Sequence, residues 1–289
     1  MKRLFALSAI LILVSTISFS QTIPYSKGRI AISSDGNEHD EDDWAATPMS
    51  LALLASRELQ DQVVVYTFSD HTWGSNKEKK GADSQMRESA FIGANKFGFK
   101  KTKFIEAEAA PNYAVIELTL QINKSSAKDP LTIIAAGPME VIGSALNEAD
   151  TTKLKFVRVI SHSVWNNDHA DKPYEWETHT GWTWAEMEEK LKPYGLQLDH
   201  ILDQNGGSDY EGLKTEVSKF DWLKNSPSKD QKPYEKGSWD WLYSRLVAAQ
   251  KGSEFDASDA GMILYLLTGK QKNTPEDFRE ILENPVKHK

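Results

Sequence analysis

Between Ile30 and Leu54 the chain reads IAISSDGNEHDEDDWAATPMSLALL, which places Asp35, Asn37, Asp40, Asp42 and Asp43 between a short apolar strand and a helix-like segment. Carboxylates this crowded repel one another unless a proton or a cation compensates, and an oxygen-rich cluster suits a hard divalent ion. Two histidines follow apolar runs elsewhere: His71 comes after the run 63–68 and His162 after the run 156–161. Imidazole titrates near neutrality and can protonate a leaving group, so both are candidate catalytic acids, ahead of His169, His179, Glu175 and Glu177. A third set is aromatic. Trp73, Trp165, Trp176, Trp182 and Trp184 lie in or beside polar loops, where indole faces can stack on the C–H faces of sugar rings.

Residues so far apart in sequence share a site only if a scaffold gathers them. Apolar, β-branched runs at residues 29–33, 63–68, 103–106, 131–135 and 156–161 read as strands. They alternate with helix-like segments at 44–57, 84–96, 112–122 and 140–149. Continuous apolar strands between helices imply an α/β fold, a single domain with a mostly parallel open sheet flanked by helices on both faces. Ligands of such sheets bind beyond the carboxyl ends of the strands. That rule gathers residues 35–43, Ser69-Asp70-His71, Ala136-Gly137 and residues 162–168 around one crevice. After Ser161 the periodicity lapses into HSVWNNDHADKPYEWETHTGWTW, too long and too polar for an ordinary connection and therefore expected to be functional. Helices resume at 239–249 and 258–268, and from Pro275 the tail is at most a charged amphipathic helix. Trp44, Trp222, Trp239 and Trp241 fall in or beside apolar helical segments and read as core.

Lys2 and Arg3, the apolar run 4–14 and Ser18-Phe19-Ser20 have the form of a cleavable signal, so residues 1–20 are expected to be a leader and residues 21–289 an exported domain, periplasmic or extracellular. No other stretch approaches the roughly 20 apolar residues of a membrane span. Cysteine is absent, which excludes disulfides, thiolate metal sites, a cysteine nucleophile and a lipid-modified cysteine. The formal charge of −8 offers no basic stripe to nucleic acid or to an anionic membrane. The expected partner is a carbohydrate or glycoside small molecule, with no nucleic acid and no membrane after signal removal; assembly into a homo-oligomer is left open.

The order of these segments resembles the calcium-dependent nucleoside hydrolases. That family opens with a strand followed by D-x-D-x-G-x-D-D, and Asp35-x-Asn37 followed by Asp42-Asp43 is similar if one residue is inserted and the second Asp becomes Asn. LTIIAAGPMEVI at 131–142 is similar to the family's apolar-T-G-P-L-T-N turn, and Asp259-Ala260 to its late motif at a helix start. The resemblance implies a Rossmann-like core and a Ca²⁺ held by Asp35, Asp43, Asp259 and the carbonyl of Ala136. It also implies that Asp42, with Asn37 beside it in the motif and Asn166 or Asn167, contacts sugar hydroxyls. Asp35 would then remove a proton from the attacking water. Two departures bear on the nucleobase end: Ser258 stands where the family has a histidine, and the motif's glycine is lost or moved to Gly36.

The expected function is thus an exported, calcium-dependent hydrolase of a glycosidic bond in an oligosaccharide or glycoside, N-ribosyl substrates fitting less well. Trp73, Trp165 and Trp182 are the expected stacking platforms. Two rivals use the same residues. A lyase or dehydratase acting on uronic-acid-containing oligosaccharides would use calcium to acidify the α-proton, and a calcium-dependent glycan-binding protein would hold the sugar without turnover.

Overall fold

The computed structural model describes residues 25–37, 41–70, 83–171 and 181–285. The expected leader lies outside these residues. In chain order the elements are β1 Arg29–Ser34, α1 Asp43–Ser56, β2 Val63–Phe68, α2 Asp83–Arg87, a π-helical turn Glu88–Ile92, α3 Gly93–Phe97, β3 Lys103–Glu106, α4 Pro111–Asn123, β4 Leu131–Ala136, α5 Glu140–Glu148 and β5 Val157–Ser161. There follow α6 Val164–Asp168, α7 Trp184–Lys190, β6 Gln197–His200, β7 Lys214–Glu216, α8 Trp222–Asn225, α9 Ser238–Ala248, β8 Glu254–Asp256, α10 Ala260–Thr268 and α11 Pro275–Glu283.

Six strands form one parallel sheet in the order β3-β2-β1-β4-β5-β6. Strand order reverses between β1 and β4, and a crevice opens at such a switch point beyond the carboxyl ends. The side-chain period of two divides the core between the faces. Ile30 and Ile32 of β1 point into a cluster with α1, α9 and α10, whereas Ala31 points into a second cluster built with α4, α5 and α7. The fold is therefore the expected α/β domain with a parallel sheet covered on both sides.

Several details depart from the sequence reading. The segment 84–96 is not one regular helix, because a π-helical turn interrupts it. Phe156 closes a 3₁₀ turn rather than opening β5. A sixth strand, β6, pairs with β5 from Arg158↔Gln197 to Ser161↔His200. The pair β7–β8 forms a small antiparallel ladder. The tail does more than cover the surface: α11 starts at a capping box between Thr274 and Asp277 and buries Phe278, Ile281 and Leu282. Among the described residues no helix is long and apolar enough to cross a membrane.

Candidate metal and sugar site

The site is built where three buried backbones end. Asp35 leaves β1 with its N–H donated to the Ala136 carbonyl at 3.0 Å, which continues the ladder between β1 and β4. Asp43 is the first residue of α1, and Asp259 precedes the first residue of α10. Both therefore sit at helix N-termini, where the helix dipole favours negative charge. Ligand oxygens of Asp35, Asp43 and Asp259 lie within 4.8 Å of one another, although the last is separated from the others by most of the chain.

Close approach depends on missing side chains. A Cβ on Gly36 would stand 2.4 Å from the Asp43 Cβ, and one on Gly137 would stand 2.7 Å from the Asp35 nitrogen. Any larger residue at either position would force the acidic loop away from the sheet.

Electrostatically the group is far from neutral comfort. Asp43 is 1 % exposed. Burial holds its carboxyl well above the ordinary range, Asp259 and Asp42 push it further, and hydrogen bonds with Asp35 and Ser34 only partly oppose this. Its Oδ2 is buried without a hydrogen-bond partner among the described residues. An all-oxygen donor set of clustered carboxylates, one with a spare buried oxygen, fits a hard divalent cation such as calcium. The Ala136 carbonyl already accepts the Asp35 N–H, which leaves it one lone pair for a ligand role.

A fourth carboxylate, Asp70, stands at the end of β2 and is fully buried. Burial pushes it up to about 8 despite the hydrogen bond from Ser33, with Asp259 and Glu140 adding to the rise. Ser33 Oγ donates to Asp70 Oδ2 at 2.5 Å, while Oδ1 faces the bare Gly137. Ser69 before it adopts φ 54, an unusual left-handed conformation for a residue with a side chain, and donates to the Gly36 carbonyl at 2.8 Å. Strand-end position singled out Asp70; its full burial and the left-handed backbone before it could not be read from spacing.

His162, a candidate catalytic acid, is enclosed by partners. Its ring is 2 % exposed, with Nε2 2.9 Å from Asp259 Oδ1 and Nδ1 receiving the Gln204 N–H at 3.2 Å. Burial resists charging, but Asp203 and Asp259 override it and lift the ring to about 9. Neutral, the ring keeps the Gln204 bond; protonated, Nδ1 turns its proton toward Asp203, 3.4 Å away. In either form Nε2 donates to Asp259. Both ring nitrogens are thus engaged, one by Asp259 and the other by the segment that carries Asp203 and Gln204.

The remaining expected residues divide. Asn37 is buried and its carbonyl accepts the Trp44 indole N–H at 3.1 Å. Asp42 precedes α1, half-buried, beside Asp43. Asn167 accepts from Ser161 Oγ at 2.7 Å, and the Asn166 N–H is capped by Ser163 Oγ at 3.3 Å; both asparagines are buried. Trp165 is 38 % exposed and stacks on buried His169 with ring centroids 4.1 Å apart. Trp182 instead packs against the helix at Gly143, where a Cβ would meet its ring at 2.2 Å, and Lys190 covers it. Trp184 is buried in the second core cluster. His71, Trp73, Trp176, His179, Glu175, Glu177 and Asp40 lie outside the described residues.

No family model matches the chain. Over 254 residues it is 34 % identical to Uncharacterized protein P22 of Formosa agariphila, the match spanning 84 % of each protein. Among solved structures it is similar to an inosine-uridine preferring nucleoside hydrolase from Bacillus anthracis, with a TM-score of 0.49 and 14 % identity over 90 % of this chain and 100 % of that one.

Proposed function

The chain belongs to the family of Formosa agariphila P22, and for this member we propose a calcium-dependent hydrolase that cleaves a glycosidic bond in an oligosaccharide or glycoside after export. The observation that carries the reading is the meeting of Asp35 and Asp43 with Asp259 at the switch point of the sheet. The same three residues are the ligands that the motif resemblance implies.

When bound, the calcium ion supplies Lewis acidity and offsets the charge of the carboxylates. The chain does the rest. Asp35 holds the proton released by the attacking water, and the surplus of negative charge stabilises a sugar that turns cationic as its bond breaks. Asp42, Asn37, Asn166 and Asn167 orient sugar hydroxyls. Trp165, backed by His169, offers an indole face to a pyranose ring. His162 keeps Asp259 aimed inward.

The test is hydrolysis of aryl glycosides and oligosaccharides, followed by reducing-end release. Activity should vanish in chelator and return with calcium; hydrolysis undiminished in chelator would end the reading. Engagement of both His162 nitrogens favours one alternative, calcium-dependent glycan binding without turnover. Retention on a glycan column with no product after long incubation would select it.

A further inference from the structure

Helix α1 begins at Asp43, with Asp42 as its N-cap, yet its hydrogen-bond ladder is broken near the start. In an α-helix the carbonyl of Trp44 would accept the N–H four residues on. That residue is Pro48, inside the helix, and it has no N–H to give. The carbonyl lies where α1 is buried along its whole length, away from bulk solvent, so it needs a partner within the protein. Ser89 does. From the π-helical turn its Oγ donates to the Trp44 carbonyl at 2.6 Å.

Ser89 is itself held. Arg245 of α9 donates Nε to the Ser89 oxygen at 3.0 Å, and its other nitrogens bond Gln85 Oε1 and the Gln85 carbonyl at 2.9 Å each. The guanidinium is buried, with a side-chain exposure of 4 %, and also pairs with Glu88 at 3.3 Å. The indole of Trp44 continues the chain by donating to the Asn37 carbonyl in the acidic loop. Met86 closes over the same loop, its Sδ 2.5 Å from where a Cβ on Gly36 would be. A π turn widens the helix locally and re-aims its side chains, and such turns recur at functional sites.

We propose that Ser89, oriented by Arg245, is a positioning residue for the cation site: it supplies the hydrogen bond that Pro48 denies to Trp44 and so fixes the helix turn that presents Asp43. The inference rests on reading Asp35, Asp43 and Asp259 as cation ligands, and it adds residues that touch neither cation nor sugar.

The experiment compares the full chain with Ser89→Ala and with the double variant Ser89→Ala/Pro48→Ala, in which position 48 regains a backbone N–H. Calcium affinity is measured by titration, and amide exchange is followed at Ala45 and Ala46, whose N–H groups bond the Asp42 carbonyl at 2.9 Å. Ser89→Ala should weaken calcium binding about tenfold, the usual scale for groups that orient ligands, and speed exchange at both amides. The double variant should recover both. Unchanged affinity and exchange in Ser89→Ala would overturn the proposal, as would a loss that Pro48→Ala does not restore, because the effect would then be one of packing. Should the single variant fail to fold, a folded, calcium-binding double variant supports the proposal and an unfolded one overturns it. If the wild-type chain takes up no calcium, the cation reading falls and the positioning role with it, whereas calcium uptake by the wild type with unchanged affinity and exchange in Ser89→Ala overturns this proposal alone.

Discussion

The two ends of the parallel sheet treat charge in opposite ways. At the amino end, Arg29 of β1 pairs with Asp129 at 2.7 Å and also bonds Gln121 and Ser125. Arg158 of β5 pairs with Asp199 of β6 at 2.5 Å. Both arginines are answered by carboxylates, as ordinary folding requires. At the carboxyl end, carboxylates face carboxylates: Asp43 and Asp70 are both driven toward their neutral forms, and His162 is drawn toward its charged one. A fold that compensates charge so carefully at one end has no structural reason to concentrate it at the other. On the reading proposed above, that excess is what a cation site requires.

That contrast can be broken experimentally. The largest effect should come from Asp35→Asn, which keeps the shape of the site but, on the proposed reading, removes the base and one ligand charge: at saturating calcium, turnover should fall by about a hundredfold or more with a smaller change in KM, as steady-state kinetics would show. Turnover within a few-fold of wild type would remove Asp35 from the chemistry.

The pH dependence tests the carboxyl end alone. A carboxyl whose folded pKa is raised binds its proton more tightly in the folded state, so its contribution is most favourable at low pH and is lost as pH rises. For Asp70 the window runs from the ordinary 3.8 to about 8. In chelator, the urea midpoint should therefore decline across that range, and Asp70→Asn should flatten the decline. An equal slope in the variant would show that Asp70 carries no such strain.

Paired substitutions sharpen the comparison further. In chelator, Asp43→Asn should stabilise the chain by about 1 kcal/mol by removing a crowded buried carboxylate, whereas Asp129→Asn should destabilise it by about 1 kcal/mol by leaving Arg29 short of its partner. Denaturant titration of the two reads the signs directly, and like signs would erase the distinction between the ends. The smallest effect is expected from Trp165→Ala, which should raise KM about fivefold with little change in kcat, the scale of one lost stacking contact.

Much of the scaffold was visible in the residues themselves. The runs at β1, β2 and β4 are apolar because both faces of the sheet are covered, and their positions in sequence agree with the strands to within a residue. The strand β6 was not visible, because Gln197–His200 lies at the sheet edge with no fully buried residue and so carries no apolar run. Three-residue strands such as β7 and β8 are too short to show a period. For the candidate site, strand-end position brought Asp35, Asp70 and His162 into view. It could not show that His162 is occupied by Asp259, a partner 97 residues away. Nor could it separate an exposed indole, as Trp165 has, from one seated against Gly143, as Trp182 is, since that depends on the glycine of a neighbouring helix. The dependence of Trp44 on Ser89 was hidden for the same reason: Pro48 marks a missing donor, but only the fold names its substitute.

Isothermal calorimetry of calcium binding to the wild-type chain and to Asp259→Asn, side by side, tests the central claim most directly. Binding of one calcium ion by the wild type, lost or weakened by orders of magnitude in the variant, is the predicted result. No binding to the wild type, or equal affinity in both, would contradict it.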